Sequence, residues 1–192
     1  MGLEDIAMFR NLPGGIVLYP SDAISAEKLT VLAARTKGIK YIRTSRPKVP
    51  VIYEDTENFI LGDFKVLERS LKDKAVIVGS GITLHEALKA FENLKKQKIP
   101  VAVVDLYCIK PFKHKKFENF VKKHGKKLIV VEDHYPEGGI GEMLSEGLEN
   151  SGIKIKHLAV RDIPHSGKKN ELLKKYGISW QNIVREVKKT VK

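Results

Sequence analysis

The sequence predicts an α/β protein: a doubly wound, mainly parallel sheet preceded by a partial α/β domain. Three observations carry this expectation. Short runs rich in β-branched residues recur from Leu71 onward, each is followed by a stretch with apolar residues at every third or fourth position, and the two kinds of segment alternate to the end of the chain.

Taken in order, strands are expected at Ala75 to Val78, Val101 to Leu106, Leu128 to Val131 and Ile155 to Val160. Between them lie helices marked by Leu84, Ala87, Leu88 and Phe91, by Phe117, Phe120 and Val121, and by Ile140, Met143, Leu144 and Leu148. A last helix carries Ile183, Val184, Val187 and Val191 on one side. Each helix has one apolar stripe to bury, and right-handed crossovers place such helices on both faces of a parallel sheet.

The first 60 residues read differently. Ile16 to Tyr19 and Ile39 to Thr44 have strand character, and Ser21 or Asp22 is placed to cap the helix carrying Leu29, Leu32 and Ala33. One βαβ unit is too little for a core of its own, so it either adds to the following sheet or is the tail of a domain whose beginning is absent. The stretch Arg46 to Asp63, with Pro47, Pro50 and Gly62, is the natural linker, which divides the chain into residues 1–60 and 61–192.

The chain has 192 residues, 42% of them hydrophobic, enough for one good core or for one domain plus part of another. No apolar run approaches the roughly 20 residues that span a bilayer, and no signal-peptide pattern opens the sequence, so a cytoplasmic protein is expected. Cys108 is the lone cysteine and sits in an apolar run, which excludes an intrachain disulfide and points to burial. The net charge of +12 is uneven: residues 1–60 hold eight Lys and Arg against seven Asp and Glu, and the remainder holds the excess. Most of it lies in doublets such as Lys95-Lys96, Lys122-Lys123 and Lys188-Lys189, with no aromatic residues interleaved for base stacking. A solvated lysine face is the expectation, and nucleic acid is not the expected partner.

Two glycine-rich turns follow strands, Gly79-Ser80-Gly81-Ile82-Thr83 and Gly138-Gly139-Ile140-Gly141. Such turns can cradle a phosphate, but neither completes a nucleotide fingerprint, and tight strand-to-helix packing is the simpler reading. Glu132-Asp133-His134 stands at a strand end, where a carboxylate and an imidazole could form an acid/base pair, although adjacent residues seldom point at one atom and a loop-shaping His134 is the commoner role. No metal-ligand spacing is present, and no Gly-x-Ser-x-Gly elbow. Arg43-Thr44-Ser45-Arg46-Pro47 is the sharpest candidate, because Arg46 can grip a phosphate through two parallel charge-assisted hydrogen bonds. Arg43, three residues away, would face the opposite side of a regular strand.

With these segments in hand, the sequence resembles transketolase. The resemblance runs in unbroken order through Gly2 to Arg10, Tyr19-Pro20-Ser21-Asp22, Ile42 to Pro47, Thr83 to Leu88, Ile109-Lys110-Pro111, Val131 to Tyr135 with Glu137 to Glu142, and Ser166-Gly167-Lys168. It implies the second half of a pyrimidine-binding domain over residues 1–60 and a C-terminal domain after it. It also implies an enzyme that moves a two-carbon ketol unit from a ketose phosphate to an aldose phosphate with thiamine diphosphate and Mg²⁺, as a homodimer when complete. By motif match Arg46 holds the substrate phosphate, and the resemblance gives Arg43 no such role. The family's cofactor and metal residues belong to segments this sequence lacks. No cofactor is therefore expected on this chain alone, no catalytic residue is assigned to it, and an N-terminal transketolase portion is the expected partner. A non-catalytic binding or assembly module is the alternative that the resemblance leaves open.

Overall fold

The computed structural model describes residues 2–192. The chain runs α1 (Asp5–Arg10), β1 (Ile16–Leu18), α2 (Ala23–Arg35) and β2 (Lys40–Ile42). After an irregular stretch come β3 (Lys65–Glu68), β4 (Val76–Gly79), α3 (Ile82–Lys96), β5 (Ala102–Asp105) and β6 (Cys108–Lys110). The remainder is α4 (His114–Lys123), β7 (Lys127–Val131), α5 (Ile140–Gly147), β8 (Lys154–Leu158), α6 (Lys169–Lys175) and α7 (Trp180–Val191).

The main sheet has five strands in the order β3-β5-β4-β7-β8, parallel except for β3, which pairs antiparallel with β5. Its four parallel strands are the four expected from sequence. Alternation along each strand sends side chains to two separate cores. Val76, Val78, Val104, Leu128 and Val130 face α4 and α5, against Phe117, Val121, Ile140 and Leu144. Ile77, Val103, Ile129 and Val131 face α3 and α7, against Leu84, Ala87, Leu94, Ile183 and Val187. Both faces are covered, which is why the central strands are mostly apolar.

The first βαβ unit does not extend this sheet. It forms a second sheet in the order β2-β1-β6, where β1 and β2 are parallel and β6 pairs antiparallel with β1. A strand from the later part of the chain thus finishes the earlier one. Asp22, the better of the two expected caps, accepts from the Ser25 amide at 2.7 Å, and Ser25 returns a bond to the Asp22 amide at 3.0 Å.

Helix α1 buries only Ile6, but its polar groups are tied into the other sheet. The Ala7 amide donates to His134 Nε2 at 3.3 Å, and Arg10 Nη1 donates to the Gly139 carbonyl at 2.9 Å. Lys110 Nζ holds the helix end through the carbonyls of Arg10 and Leu12, both at 2.6 Å. A six-residue helix is too short to persist alone, so these anchors make it.

Candidate functional site

In an open α/β sheet, ligands sit beyond the strand ends where the strand order reverses, here between β4 and β7. Tyr19, Ile82 and Asp133 line a cleft at this point. The Tyr19 ring, 1% exposed, stands over Gly81, where a Cβ would overlap it. The Gly81 amide is itself used, donating to Ser21 Oγ at 2.9 Å. Packing is therefore the role of the first glycine turn.

The second turn does bind an anion, and the anion is Glu132. Its carboxylate accepts from the amides of Ile140 at 2.6 Å and Gly141 at 3.1 Å at the start of α5, and it pairs with His157 Nε2. In each turn, amides that could meet a diphosphate are already bonded within the chain, Gly81 to Ser21 and Ile140 and Gly141 to Glu132. Among the described residues no three His, Cys, Asp or Glu side chains gather to hold a metal.

The Glu132-Asp133-His134 run disperses three ways. Glu132 caps α5, Asp133 turns to Arg43, and His134 is fully buried. His134 Nε2 accepts from Ala7, which leaves the proton on Nδ1 to donate to the Tyr135 carbonyl at 2.7 Å. It shapes the loop and meets no acid/base partner. Ser70, Asp73 and His124 do come together, but Ser70 Oγ and His124 Nδ1 both bond to Asp73, so no base reaches the hydroxyl.

The cleft beyond these strand ends has a volume of about 640 Å³. Leu3, Asp5 and Met8 form one wall, Tyr41 and Arg43 to Pro47 another, and the segment from Pro164 to Ile178 supplies His165, Lys169 and Tyr176 opposite. β2 ends at Ile42, so no strand period extends to either arginine, and both line the same cleft. Arg46 is exposed on the wall and makes no ion pair among the described residues.

Arg43 is buried. Its Nε donates to Asp5 Oδ2 at 2.8 Å, Nη1 to Asp133 Oδ1 at 2.8 Å and Nη2 to the Asp133 carbonyl at 3.0 Å. Burial works against its charge, but Asp133 and Asp5 outweigh burial and raise its pKa. Tyr19 Oη bonds to Asp133 and lies 3.1 Å from Ser45 Oγ. Tyr41 Oη donates to Asp5 at 2.6 Å, and burial with this carboxylate pushes its phenol up to about 12. Sequence reasoning singled out Arg46 and missed this network, whose members are scattered from Asp5 to Asp133. An arginine directly after an apolar strand pair was the only trace of it.

A doubly wound domain that shares a cleft with a smaller α/β unit is the class these features define. The family model for the transketolase C-terminal domain matches residues 64–183, and the chain belongs to that family. It is 48% identical over 192 residues to mouse transketolase-like protein 2, covering 100% of this chain and 31% of that protein. It is 47% identical over 189 residues to human transketolase, covering 98% and 30%. The chain thus spans about a third of the length of the curated relatives it matches. Among solved structures it resembles a split gene transketolase described as an inactive β4 tetramer, with a TM-score of 0.89 and 31% identity over 100% of this chain and 62% of that one. A transketolase from Campylobacter jejuni, at TM-score 0.76 and 20% identity over 98% of this chain and 28% of that one, shares the fold.

Proposed function

We propose that this chain is the C-terminal portion or subunit of a transketolase, which transfers a two-carbon ketol unit from a ketose phosphate to an aldose phosphate. The observation that most supports this is the likeness over 100% of the chain to a split gene transketolase. Residues 1–60 are read as the closing part of the pyrimidine-binding domain and the rest as the C-terminal domain. Arg46, exposed on the cleft wall, binds the substrate phosphate by a bidentate contact. Thiamine diphosphate and Mg²⁺ act in the complete enzyme, a homodimer of the cytoplasm, and are held by the N-terminal portion that partners this chain. The cofactor supplies the electron sink for the transferred carbanion, and this chain's part is to bind and orient the sugar phosphate. By itself the chain is inactive.

The test is a ketol-transfer assay with a ketose phosphate, an aldose phosphate, thiamine diphosphate and Mg²⁺. It is run on this chain alone and on its mixture with a separately produced N-terminal portion. Activity is expected only in the mixture and falls on Arg46→Ala. Transfer by the chain alone would overturn the reading, and silence in both would leave the assembly module as the better account.

A further inference from the structure

The phosphate contact assigned to Arg46 depends on a short irregular run, Thr44-Ser45, that has no secondary structure to hold it. An exposed arginine on such a run has many rotamers and little reason to face one way. The structure supplies the missing constraint immediately behind it. Arg43 sits where β2 ends, and all three of its donor nitrogens are committed: Nε to Asp5, Nη1 and Nη2 to Asp133. Its guanidinium lies 4.8 Å from the centre of the Tyr19 ring. Tyr19 Oη then bonds to Asp133 at 3.0 Å and reaches Ser45 Oγ at 3.1 Å, the residue next to Arg46. The run is therefore pinned at Arg43 and again at Ser45, and both pins converge on Asp133.

We propose that Arg43 is the positioning residue for Arg46: forked between Asp5 and Asp133, it fixes the Thr44-Ser45 run so that the Arg46 guanidinium faces the substrate phosphate from the cleft wall. This role rests on the phosphate reading of Arg46. The shape of the guanidinium matters as much as its charge. Three directed N–H groups meet three acceptors on two residues, and an ammonium in the same place would keep the charge without spanning them.

The experiment compares binding of ribose 5-phosphate and ribose to the intact chain, by calorimetry at 10 °C, with backbone ¹⁵N relaxation at Ser45 and Arg46. The wild-type chain prefers the phosphorylated sugar, and Arg46→Ala loses that preference by about 10-fold or more, the scale of a lost charge-assisted contact. Arg43→Lys, with the charge retained, loses about 5- to 20-fold of the preference, and the Arg46 order parameter drops from about 0.85 towards 0.6. Tyr19→Phe keeps the ring over Gly81 and removes only the hydroxyl, so it carries the test if Arg43→Lys does not fold. It produces a smaller loss of the same kind. A merely structural Arg43 would lower the melting temperature and leave the affinity ratio and the order parameter unchanged, which overturns the proposal. If Arg46→Ala binds like the wild type, or the wild type does not distinguish the two sugars, the phosphate reading itself fails and the positioning role goes with it.

Discussion

The ring of Tyr19 occupies the space that any side chain on Gly81 would need. Gly81 has φ 52, which a residue with a Cβ rarely adopts, and it opens the turn into α3 directly beneath the ring. Two penalties therefore add at one position.

Gly81→Ala is expected to destabilise the chain by about 2–5 kcal/mol, combining the left-handed backbone cost with overpacking against Tyr19. Thermal unfolding reads this directly. A variant that melts with the wild type would mean that the ring does not pack closely on this turn.

Asp105 is fully buried and accepts from Tyr53 Oη at 2.7 Å and Ser21 Oγ at 2.9 Å. Burial raises its pKa from 3.8 to about 7 against the pull of these two donors, and Asp22 adds to the rise. The folded form therefore holds a proton that the unfolded chain has released. Its stabilising contribution is full below 3.8 and is lost as pH rises to about 7, after which it stays flat. Denaturant midpoints measured from pH 4 to pH 8 should show this decline in the wild type and a weaker one in Asp105→Asn. Parallel curves for the two would contradict the assignment.

The central sheet was legible because β4, β5 and β7 are apolar runs whose burial does not depend on distant partners. The strands that were missed are β3 and β6. Lys65–Glu68 mixes charge with half-buried Val66 and Leu67, and Cys108–Lys110 is three residues at the end of an apolar run. Helices α1 and α6 bury one side chain each, too little to set a period. Arg46 was visible as an exposed cation in a motif, whereas the burial of Arg43 depends on Asp5 and Asp133, 38 and 90 residues away. No local pattern encodes such a pair.

Glu132→Gln tests whether the second glycine turn is held by charge. The variant keeps the shape but weakens the bonds to the Ile140 and Gly141 amides and removes the carboxylate that pairs with His157. A loss of about 2–4 kcal/mol is expected, within the range for breaking a buried charged contact, with faster hydrogen exchange at both amides. Unchanged exchange at Ile140 would show that the turn holds itself.

Cys108 is fully buried, and burial pushes its thiol up to about 11. In the native chain at neutral pH it should react with a disulfide reagent at less than about 1% of the rate seen in denaturant, since both access and thiolate are lacking. Rapid labelling without denaturant would place the β6 edge in an open state.

Because Cys108–Lys110 completes the sheet begun by Ile16–Leu18, the folded structure it belongs to reaches beyond the stretch the family model recognises. A gene fission near residue 64 would leave the upstream product without its third strand and the downstream product with an orphaned one. Any rearrangement that keeps both sheets complete must keep Ile16–Leu18 and Cys108–Lys110 together.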